Sequence, residues 1–249
     1  MSGRVMTATR LGFAEQARRP LLLVLLVTVP FVFISWSFWV TEAIPRVVEL
    51  PGGNTVPTTM RDIHGAIMVP ITVGFLAGLV GMFVVRSALE SDRRLVVAGF
   101  SPSEAVAPRL AVIAAATVVV LGVSIAVTAL DFVPASWWPF VAANLLAGLT
   151  YALIGALAGA TMGALGGAYF MFFLPMVDFG IAQNPMFFDG RPPEWAAALP
   201  GWGSTRMIVD GAFSSSFEAT VGLLAALGWT LALTVAVVLL LRRAVAPRH

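Results

Sequence analysis

Residues 86–109 read RSALESDRRLVVAGFSPSEAVAPR, and this stretch decides how the rest of the chain is organised. It gathers Arg86, Glu90, Asp92, Arg93, Arg94, Glu104 and Arg109 between two apolar runs that are each long enough to cross a bilayer. Glu90 stands four residues before Arg94, the more favourable order for an ion pair along a helix. Gly99 then interrupts the helix. Ser101-Pro102-Ser103-Glu104 supplies an N-cap serine, a first-turn proline and an acid at the third helical position, the pattern of a capping box. The stretch therefore predicts a helix, a sharp turn and the start of a second helix, so that two spans meet in a charged helical elbow. An unstructured loop would account for the arginines but not for two punctuated helices.

The composition agrees with spans on either side. The 249 residues are 59% hydrophobic and 11% charged, against about 25% charged in an ordinary soluble domain. Mean hydropathy is +0.91. An all-α, polytopic membrane protein forming a single transmembrane domain is expected. Cysteine is absent, which removes any disulfide framework or thiolate site, and all fifteen basic residues are arginine, which removes the lysine-dependent phosphate loop of an ATPase. His64 and His249 are too few and too far apart for a zinc cluster, so no metal is expected. Nor is nucleic acid, despite the net charge of +2, because the arginines sort by membrane side.

Before the elbow, residues 2–18 place Val5, Met6, Phe13, Ala14 and Ala17 on one face, suiting a helix that lies in the membrane interface. Residues 20–40 carry no charge and reach about 31 Å as a helix, enough for a first span bent at Pro30. Residues 41–62, with Pro45, Pro51, Gly52, Gly53 and Pro57, read as an exposed loop with a short surface helix. Residues 63–85 form the second span, in which Gly74 and Gly78 make a G-x-x-x-G face for close packing or for dimer contact.

Beyond the elbow, residues 109–130 form the third span. The run 139–183 holds one formal charge and suffices for two crossings, at 139–162 and 167–182, with a turn at 163–167. Gly155, Gly159 and Gly163 repeat every four residues and give the fourth span a smooth face. The fifth contains Pro175 and Asp178. A carboxylate near lipid must face protein or water, so Asp178 is either a translocation-path residue or a group paired near the outer interface. Two short helices at 193–199 and 205–213, separated by Pro200-Gly201-Trp202-Gly203, read as a re-entrant or surface hairpin before the last span at 219–241. Eleven of the fifteen arginines lie at the termini and the elbow and four in the intervening segments, which puts both termini and the elbow in the cytoplasm. An even number of spans follows, and six fits. Six of the seven tryptophans then fall in or beside the outer segments.

The order of interfacial helix, proline-bearing span, outer loop, second span, an elbow reading E-x-x-R-R-L-x-x-x-G-x-S-P, a hairpin of spans, a proline-interrupted outer segment and a last span resembles the permease subunits of type-2 ATP-binding-cassette exporters. The resemblance implies that a coupling helix at about 88–98 docks on a separate ATPase subunit, which holds ATP and Mg²⁺, while this chain binds no cofactor. It also implies a second permease copy or a sibling chain. Arg93 and Arg94, with Glu90 beside them, are the expected ion-pairing residues toward the ATPase, and Leu89 and Val96 the apolar contacts. A path of Leu, Phe, Met and Gly favours hydrophobic or amphipathic cargo such as a drug, a lipid or a lipid-linked glycan. The alternative is an ion-coupled secondary transporter or channel using Asp178. A membrane-embedded hydrolase would need a partner for His64 that the sequence does not supply. The lysine-free, alanine- and arginine-rich usage suggests a GC-rich bacterial genome, and with the resemblance it implies the inner membrane of a prokaryote.

Overall fold

The computed structural model describes residues 20–188 and 192–246. The amphipathic segment expected at 2–18 lies outside them. Helix α1 runs Pro20–Pro30, widens into a π-helical turn over Phe31–Ser35 and closes over Trp36–Val40. Pro30 offers no amide donor and its ring crowds the carbonyl four residues back, so the ladder widens immediately after it.

The next segment corrects an expectation. Residues 41–62 hold no surface helix but an antiparallel hairpin of β1, Pro45–Glu49, and β2, Thr55–Thr59, after which the next helix opens at Met60. Leu50 N donates to Asn54 O at 2.7 Å across the turn. Gly53 sits at φ +86°, a conformation glycine adopts without steric penalty. Pro57 lacks an amide proton but lies in a two-stranded ribbon, where each strand has a free edge.

Helix α2, Met60–Val97, is one uninterrupted helix of about 57 Å. The segment expected to act as a coupling helix, 88–98, is thus no separate element; it is the charged end of α2. No glycine or proline falls between Met82 and Ala98 to break it. Helix α2 stops where Gly99 takes φ +93°. Helix α3, Pro102–Asp131, then opens with the capping box: Ser101 N donates to Glu104 Oε2 at 2.9 Å and Glu104 N to Ser101 Oγ at 3.3 Å. That cap starts the helix seven residues before the apolar run expected at 109. Helix α4 covers Trp137–Thr161 and α5 Ala164–Val177, the latter continuing as a π-helix over Asp178–Ala182. The turn between them is only Met162 and Gly163, because Gly163 is already the N-cap of α5. The proline-interrupted segment that follows forms a 3₁₀ turn, Glu194–Ala198, and α6, Trp202–Phe213, followed by α7, Thr220–Val245. The expected break at 200–203 ends at Gly201.

Five of these helices, Met60–Val97, Pro102–Asp131, Trp137–Thr161, Ala164–Ala182 and Thr220–Val245, are long and apolar enough to cross a membrane. The chain is an α-helical, multi-pass membrane protein. Its centre is the pair α2 and α4, which pack backbone to backbone. A side chain at Gly81 would meet the Ala152 carbonyl, one at Gly155 the Gly78 carbonyl and one at Gly159 the Met82 carbonyl. Small residues on both helices permit that approach. Helix α6 packs against both α4 and α7, while α5 and α7 leave much of their apolar surface exposed.

Candidate functional site

Two regions collect the polar chemistry of the chain. The first is the elbow. Arg109 Nη2 donates to Asp92 Oδ1 at 2.8 Å and its Nε to Oδ2 at 3.2 Å, a two-pronged pair with Asp92 buried at 4% exposure. Such a pair fixes orientation as well as distance. It pins the end of α2 to the start of α3. Arg93 Nε donates to Ala244 O at 2.9 Å and Arg86 Nη1 to Met162 O at 3.0 Å, so the end of α2 is also tied to α7 and to the α4–α5 turn.

The expected partner contacts differ in exposure. Leu89 is half-buried: it packs on the cluster of Val84, Val85 and Val106 and also lines the groove beside the elbow. Val96 is also half-buried. Val97, at 80% exposure, is the apolar side chain that the elbow presents. Glu90 and Arg94 are both exposed and do not pair with each other. Arg94 remains available at the tip beside Val97. The pairing of Asp92 with Arg109 is not legible in the sequence, because the two lie seventeen residues apart across the Gly99 turn.

The second region is α6, which has a separate buried carboxylate near each end, Asp178 and Asp210. Asp178 is 2% exposed and its Oδ2 accepts from Tyr151 Oη of α4 at 2.5 Å and from Gly201 N, at the start of α6, at 2.7 Å. Asp178 thus sits at the positive end of a helix that belongs to another segment. Its Oδ1 has no hydrogen-bond partner among the described residues, as is also true of Gln183 Oε1, five residues on, and of Ser204 Oγ, three residues after Gly201. Asp210 repeats the device from α6: its Oδ2 accepts from Glu218 N at 2.7 Å and Ala219 N at 3.0 Å, holding the approach to α7. Burial raises the Asp210 carboxyl above its ordinary range, and these two donors oppose the rise.

The two ends of α6 show its depth. Gly211 lies against the backbone of Phe140, while Gly201 reaches Tyr151 through Asp178. Phe140 and Tyr151 are about 16 Å apart along α4. Helix α6 therefore runs alongside α4, and Asp178 lies well inside the helical bundle rather than at its edge. Asp178 and Tyr151 were separable in the sequence only as an acid and a tyrosine within apolar runs; Asp210 gave no signal, because its acceptor role depends on the α6–α7 turn.

The glycine positions divide. Gly74 faces Tyr151 and Pro175, Gly78 faces Met171 and lies against Gly155, and Gly159 lies against Met82, all within this chain. A β-carbon at Gly163 would meet nothing within 4 Å, and this residue is the N-cap of α5, so no helix packs against it as one does at Gly155 and Gly159. Among the described residues no three of His, Asp and Glu gather as a metal set. The fold defines the class of the protein, a multi-pass helical membrane protein. No model of a known family matches the chain, and no curated protein matches it either.

Proposed function

We propose that this chain is the membrane permease subunit of a type-2 ATP-binding-cassette exporter, with six spans and both termini in the cytoplasm of a prokaryote. The observation that carries the reading is α2, a single helix that runs from the bundle centre to an exposed, braced tip. A partner pressing on Val97, Arg94 and the Ser101–Ser103 turn would move α2 as a lever. The glycine contacts with α4 would carry α4 along with it. The partner supplies ATP and Mg²⁺, since the chain has no lysine for a phosphate loop. The α6 hairpin forms the outer closure of the path, and a second copy or sibling chain completes it. The cargo is hydrophobic or amphipathic.

The test is copurification. The tagged chain, expressed in its own organism, should retain an ATP-binding subunit, and Val97→Asp should lose it. The partner face is apolar at its centre, where truncations cost most, so a fall of about tenfold or more in retained ATPase is expected. The variant should elute and melt as the parent does, because Val97 contacts solvent. Intact retention by Val97→Asp, or no ATPase with the parent chain, would oppose the reading.

A further inference from the structure

The flank of the elbow holds a groove of about 470 Å³, with Arg86, Glu90, Arg93 and Arg94 on the α2 wall and the Gly159–Met162 end of α4 opposite. Three guanidinium groups face one carboxylate there. Arg86 and Arg93 each use one N–H on a backbone carbonyl. A guanidinium has five, so each keeps further donors and cannot lose its charge. The N-terminus of α5 follows directly from Met162. Its N-cap Gly163 makes no side-chain cap, and residues 163–166 are exposed, so its first amides add donors beside the groove.

What lies above the groove selects the ligand. Leu165, Tyr169, Phe173 and Met176 are 71%, 59%, 53% and 46% exposed. Their spacing places them in one stripe that climbs α5 for about 16 Å from the groove. Arg86 follows immediately after the apolar run 63–85, which puts the groove at headgroup level. We infer that this groove and stripe form a binding site for a lipid with an anionic phosphate headgroup, the phosphate oxygens taken by Arg86, Arg93 and Arg94 and the hydrocarbon chain laid along α5. The forked guanidinium matches phosphate oxygens in pairs. The site deepens the exporter reading by naming a cargo class and rests on it only for that role, since binding requires no ATPase.

The purified chain in neutral detergent would be titrated with phosphatidic acid, phosphatidylcholine, diacylglycerol and inorganic phosphate, with bound molecules counted by native mass spectrometry. Phosphatidic acid should bind at least about tenfold more tightly than the two neutral lipids, and inorganic phosphate should not displace it at equal concentration. Arg86→Gln combined with Arg93→Gln should weaken phosphatidic acid about tenfold or more. Leu165→Asp, at a position too exposed to disturb packing, should weaken it as well. Equal affinity for diacylglycerol, displacement by free phosphate, or unchanged binding in Leu165→Asp would overturn the site. A chain that binds phosphatidic acid but retains no ATPase would reject the exporter reading and leave the lipid site standing.

Discussion

Gly155→Leu should abolish accumulation of folded chain, and Gly155→Ala should lower its stability by about 1–3 kcal/mol. Any β-carbon at Gly155 would occupy the position of the Gly78 carbonyl, and the neighbouring contacts at Gly81–Ala152 and Gly159–Met82 leave the helices no local route to part. The overlap is with backbone, which cannot swing aside as a side-chain tip can. Separation of α2 from α4 would empty the centre of the bundle, where Ala77, Val84, Ala152 and Ala156 pack. Gly163→Leu is the matched control. It lies in the same four-residue repeat but has open space around it, so its effect on melting in detergent should stay within about 1 kcal/mol, the cost of a poorer N-cap. Equal losses at both positions would mean that the glycine repeat acts through backbone freedom and not through helix contact.

Asp178→Ala should cost about 3 kcal/mol, the second large effect. The substitution leaves Tyr151 Oη and Gly201 N buried without their acceptor, and an unsatisfied buried donor costs roughly 1–3 kcal/mol. Asp178→Asn keeps an acceptor oxygen and should cost only about 1 kcal/mol. Melting in detergent reports the stability, and limited proteolysis between Pro193 and Phe213 reports whether the α6 segment has come loose. The pair also separates the two transport readings. A carboxylate that holds α6 in place tolerates asparagine, so export should continue in Asp178→Asn. A carboxylate that carries a coupled ion does not, and transport would cease at nearly unchanged stability. Wild-type melting in Asp178→Ala would remove the structural role altogether.

The elements that could be read from the sequence are those whose causes are local. The apolar runs, Gly99 as a helix stop and Ser101 with Glu104 as a cap all act within a few residues. The hairpin at 45–59 was not legible, because its strands are short and Pro57 argues against a strand until the partner is known. The continuity of α2 was obscured by the change from apolar to charged residues at Arg86, which alters the solvent of a helix without ending it. Asp178 stood out as a charge in an apolar run, yet its partners could not be named, since Tyr151 and Gly201 reach it only after three segments have packed. Asp92 and Arg109 were both visible as charges, and only the turn geometry makes them a pair. Leu89 and Val97 differ in burial because Leu89 packs on a cluster that includes Val106 of α3 while Val97 is left exposed at the end of α2, which no local pattern encodes.

In the proposed topology the elbow faces the cytoplasm while the α6 hairpin lies on the opposite side. The absence of cysteine makes this directly measurable with single substitutions. Ser103→Cys at the elbow and Ser215→Cys after α6 are both exposed positions. Intact cells would be treated with a membrane-impermeant maleimide and compared with permeabilised ones. The account predicts that Ser215→Cys labels in intact cells and Ser103→Cys only after permeabilisation. Labelling of Ser103→Cys in intact cells, or of both positions from the same side, would contradict it.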